Sequence, residues 1–174
     1  AAERYGVIPD MITFAKGVTS GTVPMGGVIV RKHIYDTFMK GPDNVIELFH
    51  GYTYSGHPLA AAAALATLDV YEAEGLYDRA HDLGGYWEES VHSLKGLPNV
   101  IDVRNLGLVA AVELASRPEA PGARATEVFH RAFDSGLLIR VTGDVIALSP
   151  PLIIDKAQID ELIGGLAGLL KTTS

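Results

Sequence analysis

Pro9-Asp10-Met11-Ile12-Thr13-Phe14-Ala15-Lys16-Gly17-Val18-Thr19-Ser20-Gly21 is the stretch whose reading decides the fold. Met11 to Phe14 is apolar and β-branched, the pattern of a short strand. Lys16 stands at the end of that strand, and Gly17, Thr19, Ser20 and Gly21 open a flexible turn ahead of it. A lysine so placed is held from behind and free in front. Apolar neighbours that keep its amine neutral would let it attack an aldehyde, which is what a Schiff-base lysine requires. From this window alone, a solvated lysine at a strand end is the commoner reading.

Working outward, Gly27 to Val30 reads as a second strand across the glycine turn, and residues 32–39 as a short helix ending near Gly41-Pro42. Phe49-His50-Gly51-Tyr52-Thr53-Tyr54-Ser55-Gly56-His57-Pro58 is a loop dense in hydroxyls and aromatic rings. Pro58 suits an early helical position, so a helix is expected from Leu59 to Glu74. Its first half contains five consecutive alanines, Ala60 to Ala64, a face small enough to be buried against a neighbouring helix or subunit. The loop's backbone N–H groups and the Thr53 hydroxyl, just before a helix, could hold a phosphate. Equally, the hydroxyls could simply cap local backbone groups.

A second helix is expected from Leu76 to Lys95, with Leu83, Trp87, Val91 and Leu94 on one face. Strands follow at Val100 to Arg104 and Gly107 to Leu114, with a bend near Asn105-Leu106-Gly107. Arg117 to Arg124 reads as a loop and Ala125 to Ser135 as a helix. Strands Leu137 to Arg140 and Val145 to Leu148 flank Thr142-Gly143-Asp144, and a last helix, Lys156 to Lys171, starts behind Asp155 as N-cap. Arg140, at the end of an apolar strand, can present its guanidinium fork to a carboxylate. The plainer alternative pairs it with Asp144. His50 and His57 flank Thr53 without metal-site spacing, and His81 and His92 read as solvated helix residues.

The chain has 174 residues, 48% of them hydrophobic and 20% charged, the make-up of a folded globular protein. A formal net charge of -7 gives no reason to expect nucleic acid or an anionic membrane as partner. With no cysteine there is no disulfide framework and no thiolate metal site. No apolar run approaches the roughly 20 residues of a membrane-spanning helix. The expectation is a soluble, cytoplasmic protein whose first residues, with no start methionine, begin in the middle of a domain.

Together the segments resemble one family. Pro9 to Gly17 looks like the lysine motif of class III (ω-type) aminotransferases, fold-type I enzymes that use pyridoxal 5'-phosphate. Val23-Pro24-Met25-Gly26-Gly27-Val28-Ile29-Val30, His50 to Pro58, and Gly136 to Ile154 follow in the family's order, so the resemblance covers essentially the whole chain. The Tyr-Ser-Gly-His-Pro form of the threonine loop and the Arg-Val-Thr-Gly-Asp segment look most like the β-alanine:pyruvate (ω-amino acid:pyruvate) branch.

The resemblance implies an α/β fold: the end of the large cofactor domain, residues 1–75, and an α+β small domain, residues 76–174. It implies that Lys16 forms the Schiff base and shuttles the proton, and that Tyr52 and Thr53 bind the cofactor. Thr53 would reach the phosphate of the partner subunit, so that active sites are shared in a homodimer or tetramer. Arg140 would receive the substrate carboxylate, with a small-molecule amino donor and an oxo acid as partners. The family carries upstream a phosphate loop, an aromatic residue on the pyridine ring and an aspartate for its nitrogen, and none is recognisable here. The chain therefore reads as a C-terminal fragment, inactive alone. The alternatives are a 2-oxoglutarate-dependent aminotransferase or aminomutase, and a non-catalytic binding module.

Overall fold

The computed structural model describes residues 2–174. β1 (Met11–Ala15) and β2 (Gly26–Val30) pair antiparallel, with Phe14 opposite Gly27. The glycine is needed there: a Cβ on Gly27 would lie 2.6 Å from the Phe14 ring. A 3-10 turn, Lys16–Thr19, leaves β1 directly. α1 (Lys32–Phe38) follows β2, and residues 49–57 run without regular structure into α2 (Pro58–Ala73).

This N-terminal unit, ending at Glu74, has little core of its own. Thr19, Ala60 and Ala64 are its only buried residues among those described. Met11, Val28 and Ile29 of the hairpin and Leu59, Leu65 and Leu68 of α2 are all at least half exposed. A helix apolar on every side belongs in an interior. The alanine run was expected to be buried as a face. Only the i, i+4 pair Ala60 and Ala64 is, while α2 packs along the Lys16–Thr19 turn.

The second unit, Gly75–Ser174, is built around a dense core. α3 (Leu76–His92) begins behind Gly75, whose φ of 58° suits glycine. β3 (Val100–Leu106), β4 (Val109–Leu114), β5 (Arg140–Thr142) and β6 (Val145–Leu148) form an antiparallel sheet of order β3-β4-β6-β5. α4 (Ala123–Asp134) and α5 (Lys156–Lys171) complete the unit. Alternation along β4 sends Ala110, Val112 and Leu114 inward, where they meet Trp87 and Val91 of α3, Val128 of α4, and Ile159 and Leu166 of α5. All three helices thus cover one sheet face. Val109, Ala111 and Glu113 point to the other. Asp155 caps α5 in a reciprocal capping box with Gln158.

One strand differs from expectation. Leu137 to Ile139 make no ladder, and β5 begins at Arg140 instead of ending there. The register explains why. With Arg140 opposite Ala147, Leu138 and Leu137 would face Ser149 and Pro150, beyond the end of β6 at Leu148, and a proline donates no N–H. Leu137 turns inward instead and lies against Gly165 of α5, where a Cβ would come within 2.5 Å of its Cδ1. His92 also differs: it is half-buried, its Nε2 3.0 Å from Asn105 Oδ1. Among the described residues no helix is long and apolar enough to cross a membrane.

Candidate active site

Lys16 is the first residue of the turn that follows β1, and its φ is 56°. A left-handed conformation costs a non-glycine residue about 1–2 kcal/mol, so the surrounding structure has to hold it. Several bonds do. Gly21 N–H donates to the Lys16 carbonyl at 3.1 Å and Ser20 N–H to the Gly17 carbonyl at 3.1 Å. The buried Thr19 donates its hydroxyl to the Val23 carbonyl at 2.7 Å, with the Lys16 carbonyl 3.4 Å away. Tyr71, on α2, donates its hydroxyl to the Gly17 carbonyl at 2.9 Å. Tyr71 and Thr19 gave no functional signal in the sequence, since a tyrosine 54 residues away is joined to the turn only by the fold.

The Lys16 amine makes no hydrogen bond or ion pair among the described residues, and the residue is exposed. The apolar enclosure expected around it is not made by the described residues. Thr53 is likewise exposed, and its hydroxyl has no partner among them, whereas Thr19, Thr22, Thr37 and Thr67 each donate to a carbonyl. Tyr52 is exposed and meets His50 edge to face at 4.3 Å.

At the helix start that follows Thr53, two positions offer no free N–H to an anion. His57 is the N-cap of α2, its Nδ1 accepting from Leu59 N–H at 3.2 Å, and Pro58 has no N–H to offer. The hydroxyls of the loop do not cap the helix; the histidine does. What remains for an anion is the Thr53 side chain together with loop N–H groups, that of Thr53 among them, that make no backbone hydrogen bond among the described residues.

The Lys16 turn and the chain entering α2 after the Thr53 loop meet that helix at different levels. The Lys16 turn is fastened by Tyr71, near the helix's C-terminal end, while the Thr53 loop feeds its N-terminus at Pro58. At 1.5 Å per residue the two helix positions are about 20 Å apart along the axis, and a tyrosine reaching back shortens that by about one turn.

In the second unit Arg140 opens the edge strand β5, exposed on the sheet face that carries no helix. It stands in a cross-strand row with Ala147, Ala111 and Arg104. Arg104 is taken, bonding Asp102 at 2.6 Å and Glu113 at 2.8 Å, and its guanidinium holds the Asp102 carboxyl below the usual carboxylate range. Arg140 makes no side-chain hydrogen bond or ion pair among the described residues. The alternative partner, Asp144, instead accepts from Gly122 N–H at 2.9 Å at the start of α4. Two alanine methyls separate the arginines, so Arg140 is free to take a carboxylate from outside. No cluster of metal-ligating side chains occurs among the described residues.

Aminotransferase class-III is the family whose pattern matches this chain, over residues 1–170. The chain belongs to the class-III aminotransferases. It is 60% identical over 163 residues to an omega-aminotransferase of Caulobacter vibrioides, covering 94% of this chain and 37% of that protein. It is 40% identical over 171 residues to a beta-alanine–pyruvate aminotransferase of Pseudomonas aeruginosa, covering 97% of this chain and 38% of that one. Its fold matches a PLP-bound amine transaminase from an uncultivated Pseudomonas species with a TM-score of 0.89 at 33% identity, over 99% of this chain and 40% of that chain. The fold is accordingly a portion of the α/β fold-type I of pyridoxal-phosphate transaminases, and the class depends on that cofactor. The chain spans less than two fifths of the length of these curated relatives.

Proposed function

We propose that these residues belong to a homodimeric, cytoplasmic aminotransferase that moves an amino group from β-alanine, or another ω-amino acid or amine, to pyruvate. The observation that carries the reading is Lys16: an unpaired amine held in a left-handed conformation, on a turn fastened from 54 residues away. The donor set suits pyridoxal phosphate in part. A free amine meets the need of its aldehyde, a free threonine hydroxyl that of its phosphate, and a free guanidinium that of a substrate carboxylate. When bound, the cofactor supplies an electron sink for the carbon that loses its proton.

The chain's own residues supply the rest. Lys16 would hold the cofactor covalently and, once released by the amino donor, take and return the proton at the donor's nitrogen-bearing carbon. Thr53, with Tyr52 beside it, would bind the phosphate. Thr53 would be contributed by a second copy, with two shared sites per dimer; the spacing along α2 between Tyr71, which fastens the Lys16 turn, and Pro58, where the chain enters after the Thr53 loop, is in keeping with that. Arg140 would orient the carboxylate of the amino donor and of pyruvate. Residues up to Glu74 would be the end of the cofactor domain and Gly75–Ser174 the small domain. Among the described residues none is recognisable as the family's ring-stacking aromatic or its pyridine-nitrogen aspartate, so these 174 residues alone would not turn over.

Pyruvate is favoured as acceptor by the likeness to the β-alanine–pyruvate enzyme. The test is alanine production by the full-length protein from β-alanine with pyruvate, compared with glutamate production when 2-oxoglutarate replaces pyruvate. Turnover with pyruvate is expected. Turnover with 2-oxoglutarate alone would overturn the acceptor, and turnover by the 174-residue chain alone would overturn the need for further residues.

A further inference from the structure

The Lys16 turn is held from two sides. From within, Thr19 is fully buried although it is polar, and its hydroxyl ties the far side of the glycine loop at Val23 while lying 3.4 Å from the Lys16 carbonyl. Thr22 donates in turn to the Thr19 carbonyl at 2.7 Å. From outside, Tyr71 reaches the next carbonyl along, that of Gly17, which already accepts Ser20 N–H. The hydroxyl passes close to Gly17, where a Cβ would stand 3.9 Å from the Tyr71 oxygen, an ordinary contact distance. The two peptide planes that follow the strained residue, Lys16–Gly17 and Gly17–Val18, are therefore pinned by hydroxyls of known position.

Resting on the reading of Lys16 as the Schiff-base lysine, we propose that Tyr71 and Thr19 are positioning residues that hold Lys16 in its left-handed conformation and so fix where its amine is presented. Neither touches the reacting atoms. Their effect is on how well a preset amine meets the aldehyde, so cofactor retention and kcat respond while the substrate's own binding does not. A buried hydroxyl that merely filled space would not need its oxygen.

The experiment uses the full-length protein with Tyr71→Phe, Thr19→Val and Thr19→Ser. Pyridoxal phosphate affinity is measured by equilibrium titration, kcat and KM with the parent's amino donor, and integrity by thermal melting. Tyr71→Phe and Thr19→Val are expected to weaken cofactor affinity and lower kcat by about three- to tenfold each, the effect one intramolecular hydrogen bond carries. KM for the donor should stay within about twofold, and Thr19→Ser should restore both quantities because it keeps the hydroxyl. Parent-level affinity and kcat in Tyr71→Phe would overturn the proposal. So would losses that follow only the fraction unfolded at the assay temperature. If Thr19→Val does not fold, Tyr71→Phe decides alone, because Tyr71 is only partly buried. Failure of the underlying reading looks different: Lys16→Ala would then keep its Schiff-base absorbance.

Discussion

Replacing Ile146 by alanine in the second unit tests where the stability of this chain resides. Ile146 is fully buried in the middle of β6, opposite Val112 on one side and Val141 on the other, inside the single core that joins sheet and helices. The change removes three carbons, about 2.4 kcal/mol of transfer free energy, and leaves a cavity that brings the cost to roughly 3–4 kcal/mol. A domain of this size has a stability of about 5–15 kcal/mol, and 1 kcal/mol moves its melting point by roughly 4–8 °C. A Gly75–Ser174 polypeptide should therefore melt cooperatively by circular dichroism, and Ile146→Ala should lower the midpoint by about 15–25 °C. Ile101→Ala, at a position 62% exposed, should lower it by less than about 4 °C. A Gly75–Ser174 piece with no cooperative transition, or equal shifts for the two substitutions, would refute the reasoning.

Asp155→Ala removes the side-chain half of the α5 capping box, the acceptor for Gln158 N–H, and should cost about 1 kcal/mol, read as a drop of roughly 4–8 °C in the same melt. Acid stability should depend on two carboxylates: the bond from Arg104 holds Asp102, and the bond from Arg117 holds Glu127, below the ordinary carboxylate range. A depressed folded-state pKa contributes stability above the unfolded value and loses it as pH falls through the folded one, so the urea midpoint should decline below about pH 4. Glu127→Gln should make that decline shallower, and an unchanged slope would contradict the assignment. At the alkaline end, the Asp160 carboxylate holds the Tyr86 phenol above its ordinary value. Its contribution is present below about pH 10 and lost as pH rises through the raised value, and Tyr86→Phe should abolish that alkaline loss.

How much of this was legible beforehand depended on the range of the interaction involved. The periodic elements could be read because their signals are local: Trp87 and Val91 one helical turn apart, the alternation of β4, Asp155 ahead of a helix. The start of β5 could not be read from Leu137 to Arg140 alone, because it depends on Ser149 and Pro150 on the facing segment. His57 as the cap of α2 was hidden behind the hydroxyls around it, which are the commoner capping groups. At the site, Lys16, Thr53 and Arg140 stood out by residue type and order. The conformation of Lys16 did not, since its turn is fastened by a tyrosine 54 residues from Gly17. Nor did the freedom of Arg140, which follows from Asp144 being claimed by Gly122.

The most direct test of the central claim is to load the full-length protein with pyridoxal phosphate, reduce it with borohydride and map the modified peptide by mass spectrometry. A pyridoxyl group is expected on Lys16 and none after Lys16→Ala. A label on Lys32, Lys40 or any other lysine, or no label at all, would contradict it.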